Sequence, residues 1–402
     1  MKILFITPKI PYPPIDGHKK SMWGVIKYLS LREHEIKIVC YGQNENYDKI
    51  KNEILKYAGC TVLKIQTRNS IQGVLKNFFS RVPYNLSKYK RKELGEYLSD
   101  HLSLEKYDII HVTNSHMGWV IDVVKKHSSA PIVLRQENLE LMIMQRYYLN
   151  QKNIMLKSYA FLQFKKFLKY EPGLCSKFDL CFMMSQEDEG HLKELNPNVK
   201  TSVIPLGIEE ELLEIKKNET IPFSIVHIGS LKWYPNLDGF IWFINEILPI
   251  VLQSCPEAKL FLYGGGLPES IVLPPNISDH VIVKGFVEDI WEELKDKSLA
   301  VIPLRIGSGI RVKLLEMLAV GMNIISTSLG KEGINVIDGH ELLVADSSKD
   351  FAEKIINFFT NSYDAERISN SGRKFVAENF LWEKISEKFE QEYLKLIDIK
   401  TK

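Results

Sequence analysis

The stretch Ile306-Gly307-Ser308-Gly309-Ile310-Arg311-Val312-Lys313-Leu314-Leu315-Glu316 follows the apolar run LAVIPL and opens an apolar helical pattern. Small residues at this turn let the backbone approach a ligand. Unpaired amides at the helix start, with Gly309 leading into it, suit a pyrophosphate. Arg311 can pair with phosphate oxygens through two parallel hydrogen bonds, and Lys313 adds a point charge. Glu316 lies about one and a half turns into the helix, where a carboxylate can accept two hydrogen bonds from a ribose diol. The plainer alternative is a capped helix with solvated charges.

A second stretch follows the first apolar run and reads Pro8-Lys9-Ile10-Pro11-Tyr12-Pro13-Pro14-Ile15-Asp16-Gly17-His18-Lys19-Lys20. The prolines stiffen an extended loop, Gly17 permits close approach of the backbone, and free amides at the next helix start would face an anion. Lys19 and Lys20 could add charge. The alternative is an ordinary proline-rich connector. The stretch is not GxGxxG, so a nicotinamide-binding first domain lacks its fingerprint. Gly264-Gly265-Gly266 marks another close-approach loop. Asp179 and Glu187-Asp188 read as strand-flank and helix-start acids.

These residues need elements to hold them. Short apolar runs at 2–7, 35–40, 61–65, 108–112, 132–134 and 180–183 are predicted strands, separated by helical patterns such as 20–31, 47–57, 91–102 and 117–127. The alternation restarts, with strands at 223–228, 259–263, 280–283, 299–303 and 323–326 and helices at 237–253, 291–297, 312–319 and 352–360. Strand then helix, with β-branched strands buried on both faces, predicts parallel α/β sheets. The restart after Pro205-Leu206-Gly207 predicts two doubly wound domains joined by a charged linker over 206–222. Facing each other, they would form a cleft lined by loops from the carboxyl ends of both sets of strands.

Composition excludes several classes. A length of 402 residues favours two domains, and 45% hydrophobic with 25% charged residues is ordinary for a folded globular chain. A net charge of +2 gives no global field for nucleic acid. Cys40, Cys60, Cys175, Cys181 and Cys255 are odd in number and show no CxxC spacing, so reduced thiols in a cytoplasmic protein are expected. The apolar run 3–6 is shorter than the ~7–15 residues of a signal h-region. No stretch approaches the ~20 apolar residues of a membrane helix. Basic residues do mix with aromatics over 75–92 and 155–170. On a helix, the second stretch would set lysines beside an apolar stripe, suiting peripheral contact with anionic lipid at the cytoplasmic membrane face. The alternative is a packed helix with a solvated lysine face.

Taken together the motifs resemble glycosyltransferase family 4, the retaining nucleotide-sugar enzymes of the GT-B fold, and most of all the sugar transferases encoded with bacterial exopolysaccharide systems. The opening MKILFITPKIPYPPIDG is similar to the start of that subgroup. Gly229-Ser230-Leu231-Lys232-Trp233-Tyr234-Pro235-Asn236 resembles its Gly-x-x-x-Trp-x-Pro-Asn segment, and Val203-Ile204-Pro205-Leu206-Gly207 its entry into the second domain. Gly285-Phe286-Val287-Glu288-Asp289 resembles the loop near the donor base. RIGSGIRVKLLEMLAVGMNIISTSLGKEGI resembles the donor-binding motif and the strand after it. The likeness spans nearly the whole chain in the expected order.

The resemblance implies GT-B, with two Rossmann-like doubly wound parallel-sheet domains facing across a cleft. Residues 1–205 would form the acceptor-binding domain, with the C-terminal helix 382–402 packed back on it, and 206–381 the nucleotide-sugar donor domain. It implies that Glu316, matching the second glutamate of E-x7-E, holds the ribose, that Gly17 lies at the phosphates and sugar, and that Gly229, Ser230, Gly264, Gly309 and Val287 line the donor. The first glutamate of the motif is replaced by Ser308. The Arg and Lys carried by many members after the strand ending at Ile228 are replaced by Ser230 and Pro235, which leaves Arg311 and Lys313 to bind the pyrophosphate. The subgroup's His-Asn reads Glu137-Asn138, so Glu137 is a catalytic candidate facing the anomeric carbon or the acceptor hydroxyl. His111, ending the predicted strand DIIH, and His116 could hydrogen-bond a sugar.

The implied reaction is transfer from a nucleotide-diphosphate sugar to a saccharide or lipid-linked acceptor in surface polysaccharide or glycan synthesis, with retention. It needs no metal and no cofactor, because basic residues take the metal's place. Alternatives are another GT-B enzyme, such as an epimerase or phosphorylase, and a catalytically inactive donor-binding subunit of a transferase complex.

Overall fold

The computed structural model describes residues 1–42, 47–269, 271–307, 309–360 and 363–401. They divide into two compact units, Met1–Gly207 with the stretch from Trp382 onward, and Ile208–Leu381.

The first unit is built on seven parallel strands, β1 (Lys2–Thr7), β2 (Glu35–Gly42), β3 (Gly59–Lys64), β4 (Ile109–Thr113), β5 (Ile132–Gln136), β6 (Leu180–Met183) and β7 (Thr201–Val203), in the order β3-β2-β1-β4-β5-β6-β7. Ile3, Leu4, Phe5 and Ile6 of β1 are all fully or almost fully buried. A continuous apolar run of this kind can sit only in a sheet covered on both faces. The flanking helices that matter below are α1 (Gly17–Leu31), α2 (Ile71–Asn77), α3 (Glu140–Asn150) and α4 (Ile154–Cys175).

The final helix, Trp382–Thr401, is part of this unit and not of the one that precedes it in sequence. Its Phe389 and Tyr393 are fully buried. Phe389 meets Phe182 of β6 edge-on at 4.8 Å between ring centroids. Trp382 fills the space above Gly24 of α1, where an added Cβ would stand 2.0 Å from its indole.

The second unit has six parallel strands, β8 (Ile221–Ile228), β9 (Lys259–Tyr263), β10 (Val281–Gly285), β11 (Lys297–Ile302), β12 (Asn323–Ser326) and β13 (Leu343–Val344), in the order β10-β9-β8-β11-β12-β13. Two of its helices position the site, α5 (Tyr234–Trp242) and α6 (Val312–Ala319).

Two details differ from the sequence reading. The predicted helix 237–253 starts at Tyr234 and runs to Ser254 through a π-helical turn at Phe243–Ile247. Pro249 has no N–H to continue the regular ladder, which favours the wider turn before it. The expected linker 206–222 is largely structured. Ile208 bridges to Leu381, a 3-10 turn spans Glu210–Glu214, and Arg373 donates to the carbonyls of Leu213 and Ile215.

Candidate functional site

In each sheet the strand order reverses once beside the first strand, between β1 and β4 and between β8 and β11. Loops leaving the carboxyl ends on either side of such a point diverge and leave a crevice. The predicted motifs fall at these two points.

In the second unit the loops after β8 and β9 touch backbone to backbone. The Gly229 amide donates to the Tyr263 carbonyl at 2.9 Å, and the Gly264 amide to that of Gly285 at 2.8 Å. Both glycines have positive φ, +143° and +102°, and a Cβ on Gly264 would lie 3.0 Å from the carbonyl carbon of Gly229. No residue with a side chain fits here without strain. Ser230 follows, its carbonyl accepting from the Asn236 side chain at 3.1 Å. Val287 lies just past β10, half-buried.

Lys313, in the first turn of α6, reaches across to this corner. Its Nζ donates to the carbonyl of Ile228 at 2.7 Å and to Asn236 Oδ1 at 3.3 Å. Desolvation, reinforced by the charge of Arg311, pushes its pKa down to about 7. His227, fully buried in β8 beneath it, is pushed down to about 3 by burial and then by Lys313, so it is neutral. Arg311 is the extended residue preceding α6, and its guanidinium folds back to donate to the Gly309 carbonyl, with Glu332 at 4.0 Å. Glu316 is buried within α6. The structure thus brings Gly229, Ser230, Gly264, Gly309, Arg311 and Lys313 to neighbouring loop ends. Ser308 lies outside the described residues.

In the first unit, Asp16 caps α1, accepting from the Lys19 amide at 2.8 Å, and is paired with Lys9 at 3.0 Å. The Lys19 amide expected to face a ligand is therefore held by the chain's own carboxylate, and the exposed Gly17 is the first helical residue beside it. Glu137, at the carboxyl end of β5, is 6% exposed, and its Oε2 stands 2.7 Å from His18 Nε2. His116 packs edge-on against Tyr89, bonds Asn114 through Nδ1 and stands 3.9 Å from Glu140. Burial, with the charge of His18 next, pushes His116 down to about 3. Burial raises Glu140 to about 7 against the opposing charge of His18. Glu171 of α4 accepts from the Glu140 and Leu141 amides, at 3.2 and 3.0 Å, and so caps α3.

His111 requires correction. It is the middle residue of β4, not its end, and has no exposed surface. Its ring stacks on Phe5 and bonds Tyr393 Oη at 2.5 Å. Burial holds its pKa well below the usual value, so it is a neutral core group joining β4 to the final helix. Asp179 accepts from the Ile132 amide at 2.7 Å and ties the start of β5 to the segment entering β6, while Asp188 is a buried first-turn acid of its helix.

His18 was not singled out from sequence as a chemical group. The one signal was its place directly after Gly17 at the start of the first helix. Its partner lies in a distant strand, which the loop alone does not disclose.

Residues 222–361 match the family model described as glycosyl transferases group 1. A protein of Klebsiella pneumoniae, described as an uncharacterized 44.6 kDa protein in the cps region, is 24% identical over 390 residues, covering 94% of this chain and 96% of its own. The sucrose-phosphate synthase structure from Thermosynechococcus elongatus superposes with a TM-score of 0.72 at 15% identity, covering 99% of this chain and all of its own. The Anabaena HepE structure in complex with UDP and glucose gives 0.68 at 14% identity, covering 98% of this chain and 99% of its own. Fold and segment agree: the chain has the two-sheet α/β architecture of GT-B, and its second unit is similar to the glycosyl transferases of group 1.

Proposed function

We propose that the chain is a retaining glycosyltransferase that moves a sugar from a nucleotide-diphosphate sugar to a saccharide or lipid-linked acceptor in bacterial surface polysaccharide or glycan synthesis. The observation that carries this reading is the reach of Lys313 to the glycine-only corner of Gly229 and Gly264, with Arg311 close enough to help lower its pKa. The HepE structures, which hold UDP with glucose or UDP-glucose, support a nucleotide-sugar donor here. The cps-region relative supports a role in polysaccharide synthesis.

The second unit binds the donor in this reading, and the first binds the acceptor. The diphosphate rests on Arg311, Lys313 and the amides opening α6. Glu316 takes the ribose, and Val287 flanks the base. Departure of the diphosphate concentrates negative charge beside Arg311 and beside Lys313, whose ammonium the bound diphosphate favours, and preorganised charge of this kind is often the largest catalytic contribution. Retention of configuration follows the family resemblance. In this reading Arg311 and Lys313 neutralise the leaving diphosphate in place of a metal, and no cofactor takes part.

The chain acts in the cytoplasm, with peripheral contact at the inner membrane face. Among the described residues no helix is long and apolar enough to cross a membrane. The contact surface consists of α2, the turn after it and the start of α4, where Ile71, Phe79, Ile154 and Met155 are more than two-thirds exposed. Lys166 of α4 donates to the Asn77 carbonyl at 2.5 Å, tying the two helices together. Apolar side chains beside lysines suit an anionic bilayer that presents a lipid-linked acceptor.

The test is release of nucleoside diphosphate from a panel of UDP-, GDP- and ADP-sugars, with and without free and lipid-linked saccharide acceptors. Acceptor-stimulated release with one donor, lost in Glu316→Ala, is expected. Tight nucleotide binding without release would instead identify an inactive donor-binding subunit.

A further inference from the structure

We propose that the first unit carries a saccharide-binding groove of its own, between the helix Lys92–Leu104 and the segment that follows β4, and that it takes a short glycan strand bearing a uronic acid. The inference goes beyond the transferase reading and does not depend on it. The groove lies wholly within one unit, and its test reads binding alone.

The helix Lys92–Leu104 docks on its unit through Leu94, Leu98 and Leu102, all buried. The stripe next to these residues, from Lys92 through Gly95 to Asp100, borders a groove of about 960 Å³. Eight residues of helix give that wall a length of about 12 Å, enough for a short oligosaccharide. The opposite wall is Trp119, in the 3-10 turn Ser115–Val120 after β4, and Val123 of the helix Ile121–His127. Both are half-buried and packed against the core behind them.

Gly95 is what keeps the middle of the groove open. A Cβ added there would stand 3.8 Å from Cζ3 of the Trp119 indole and 3.9 Å from Val123 Cγ2. Anything longer than a methyl group would project into the hollow beside the indole. A glycine inside a helix is less stable than almost any other residue, so its gain here is the space.

The groove is polarised along its length. Lys90 and Arg91 stand at the start of the helix, the exposed ion pair of Lys92 with Glu96 at 2.7 Å follows, and the exposed Asp100 closes the far end. Arg91 donates through Nη2 to the Gln66 carbonyl at 3.0 Å. Its Nε and the indole Nε1 of Trp119 are enclosed and have no acceptor among the described residues. Buried donors are normally paired, and these two belong to side chains that line the groove.

This pattern selects the ligand class. A uniform polyanion, such as a nucleic acid or a phosphorylated segment, would meet the carboxylates of Glu96 and Asp100 partway along, and like charges brought together are costly. A wholly apolar ligand would bury charged groups without partners. A sugar ring has a face of C–H groups that packs on an aromatic side chain and a rim of hydroxyls that both donate and accept. One carboxylate on the strand, seated at Arg91, makes the charge-assisted contact that the basic end offers, while hydroxyls donate to Asp100.

The experiment uses the full chain and tetrasaccharides containing glucuronate, galacturonate or mannuronate, each beside its carboxyl-reduced, neutral form. Calorimetry gives the Kd, and hydrogen exchange locates the contact. At least one acidic tetrasaccharide is expected to bind and to protect both 92–104 and 115–127, with its neutral form weaker by about tenfold. Gly95→Gln fills the hollow with a better helix former, so it should fold at least as well as the wild type and lose binding. Arg91→Gln should erase the preference for the acidic form. Binding of none of the acidic tetrasaccharides, binding that survives in Gly95→Gln, or binding without protection of the two segments overturns the proposal. If Gly95→Gln does not fold, an undiminished acid preference in Arg91→Gln overturns it equally. A glutamate-rich peptide that binds where no saccharide does would overturn it in favour of a protein partner.

Discussion

The ammonium of Lys313 donates to the last carbonyl of β8, that of Ile228, at 2.7 Å. This bond ties the start of α6 to the end of β8 across the point where the second sheet reverses its strand order. A lysine held here serves two purposes. It donates to the carbonyl at the end of β8, and it carries a charge to the loop ends where Gly229 and Gly264 meet. Holding the charge away from water destabilises it, which is why the pKa falls to about 7.

A bound diphosphate should reverse that shift. Below about pH 7 Lys313 is charged in the free protein, and above it increasingly neutral. A diphosphate beside it favours the ammonium, so binding of a nucleoside diphosphate at pH 8 should take up as much as one proton, and affinity should weaken as pH rises above 7. Calorimetry in two buffers of different ionisation enthalpy measures the uptake. Lys313→Met should abolish it and weaken binding at pH 7 by about tenfold, the loss of one charge-assisted contact.

The same shift makes a stability prediction. The ordinary lysine pKa is 10.5 and the folded value is about 7. Between these values the unfolded chain binds the extra proton, so the contribution of Lys313 makes stability rise with pH across that window. Lys313→Met should flatten this rise in chemical denaturation curves taken at pH 7, 8 and 9.

Tyr393→Phe should test the role assigned to His111. The substitution removes the hydroxyl 2.5 Å from His111 Nδ1 and leaves a fully buried ring nitrogen without that partner. The expected cost is about 1–3 kcal/mol of stability, with the donor Kd unchanged, because the pair lies in the core beneath the final helix. A variant with normal stability and impaired transfer would return His111 to the site.

The alternating pattern exposed both sheets, because buried parallel strands leave long apolar runs that periodicity finds. The runs at 2–7 and 259–263 coincide with β1 and β9. The turn and helix start that carry Arg311 and Lys313 were legible as well, since a glycine turn before an apolar helical pattern lies in adjacent positions. His111 was misread because DIIH looks like a strand end when only its polarity is considered. What makes it a core residue is Tyr393, far away in sequence on a helix that packs across β4. The contact of His18 with Glu137 stayed hidden for the same reason, since the carboxylate comes from the loop just past another strand. Pairings of this kind are long-range facts of topology, and local spacing does not encode them.

Gly264→Ala should damage both the fold and the proposed donor site. Its φ of +102° is costly for any residue with a side chain, and the new methyl would press on Gly229 at 3.0 Å. A loss of about 1–3 kcal/mol is expected, together with weaker nucleotide binding as the β8 and β9 loops separate. Gly266→Ala is the control. It has ordinary φ and nothing within 4 Å of an added Cβ, so stability and binding should both survive.

The surface formed by α2, the turn after it and the start of α4 makes the last prediction. Phe79 is 93% exposed and Met155 79%, and neither serves the core, so replacing both with serine should leave stability within about 0.5 kcal/mol. Sedimentation with phosphatidylglycerol-containing liposomes should show binding by the wild-type chain, loss of binding in the double variant, and loss again at high salt, since the lysine contribution is screened over a Debye length of about 10 Å at 0.1 M. Turnover with a soluble saccharide acceptor should be unaffected, while turnover with a lipid-linked acceptor in vesicles should fall. Equal sedimentation with neutral and anionic vesicles would remove the charged part of the proposal. No sedimentation with either would remove the membrane surface altogether and leave α4 as a packed helix with a solvated lysine face.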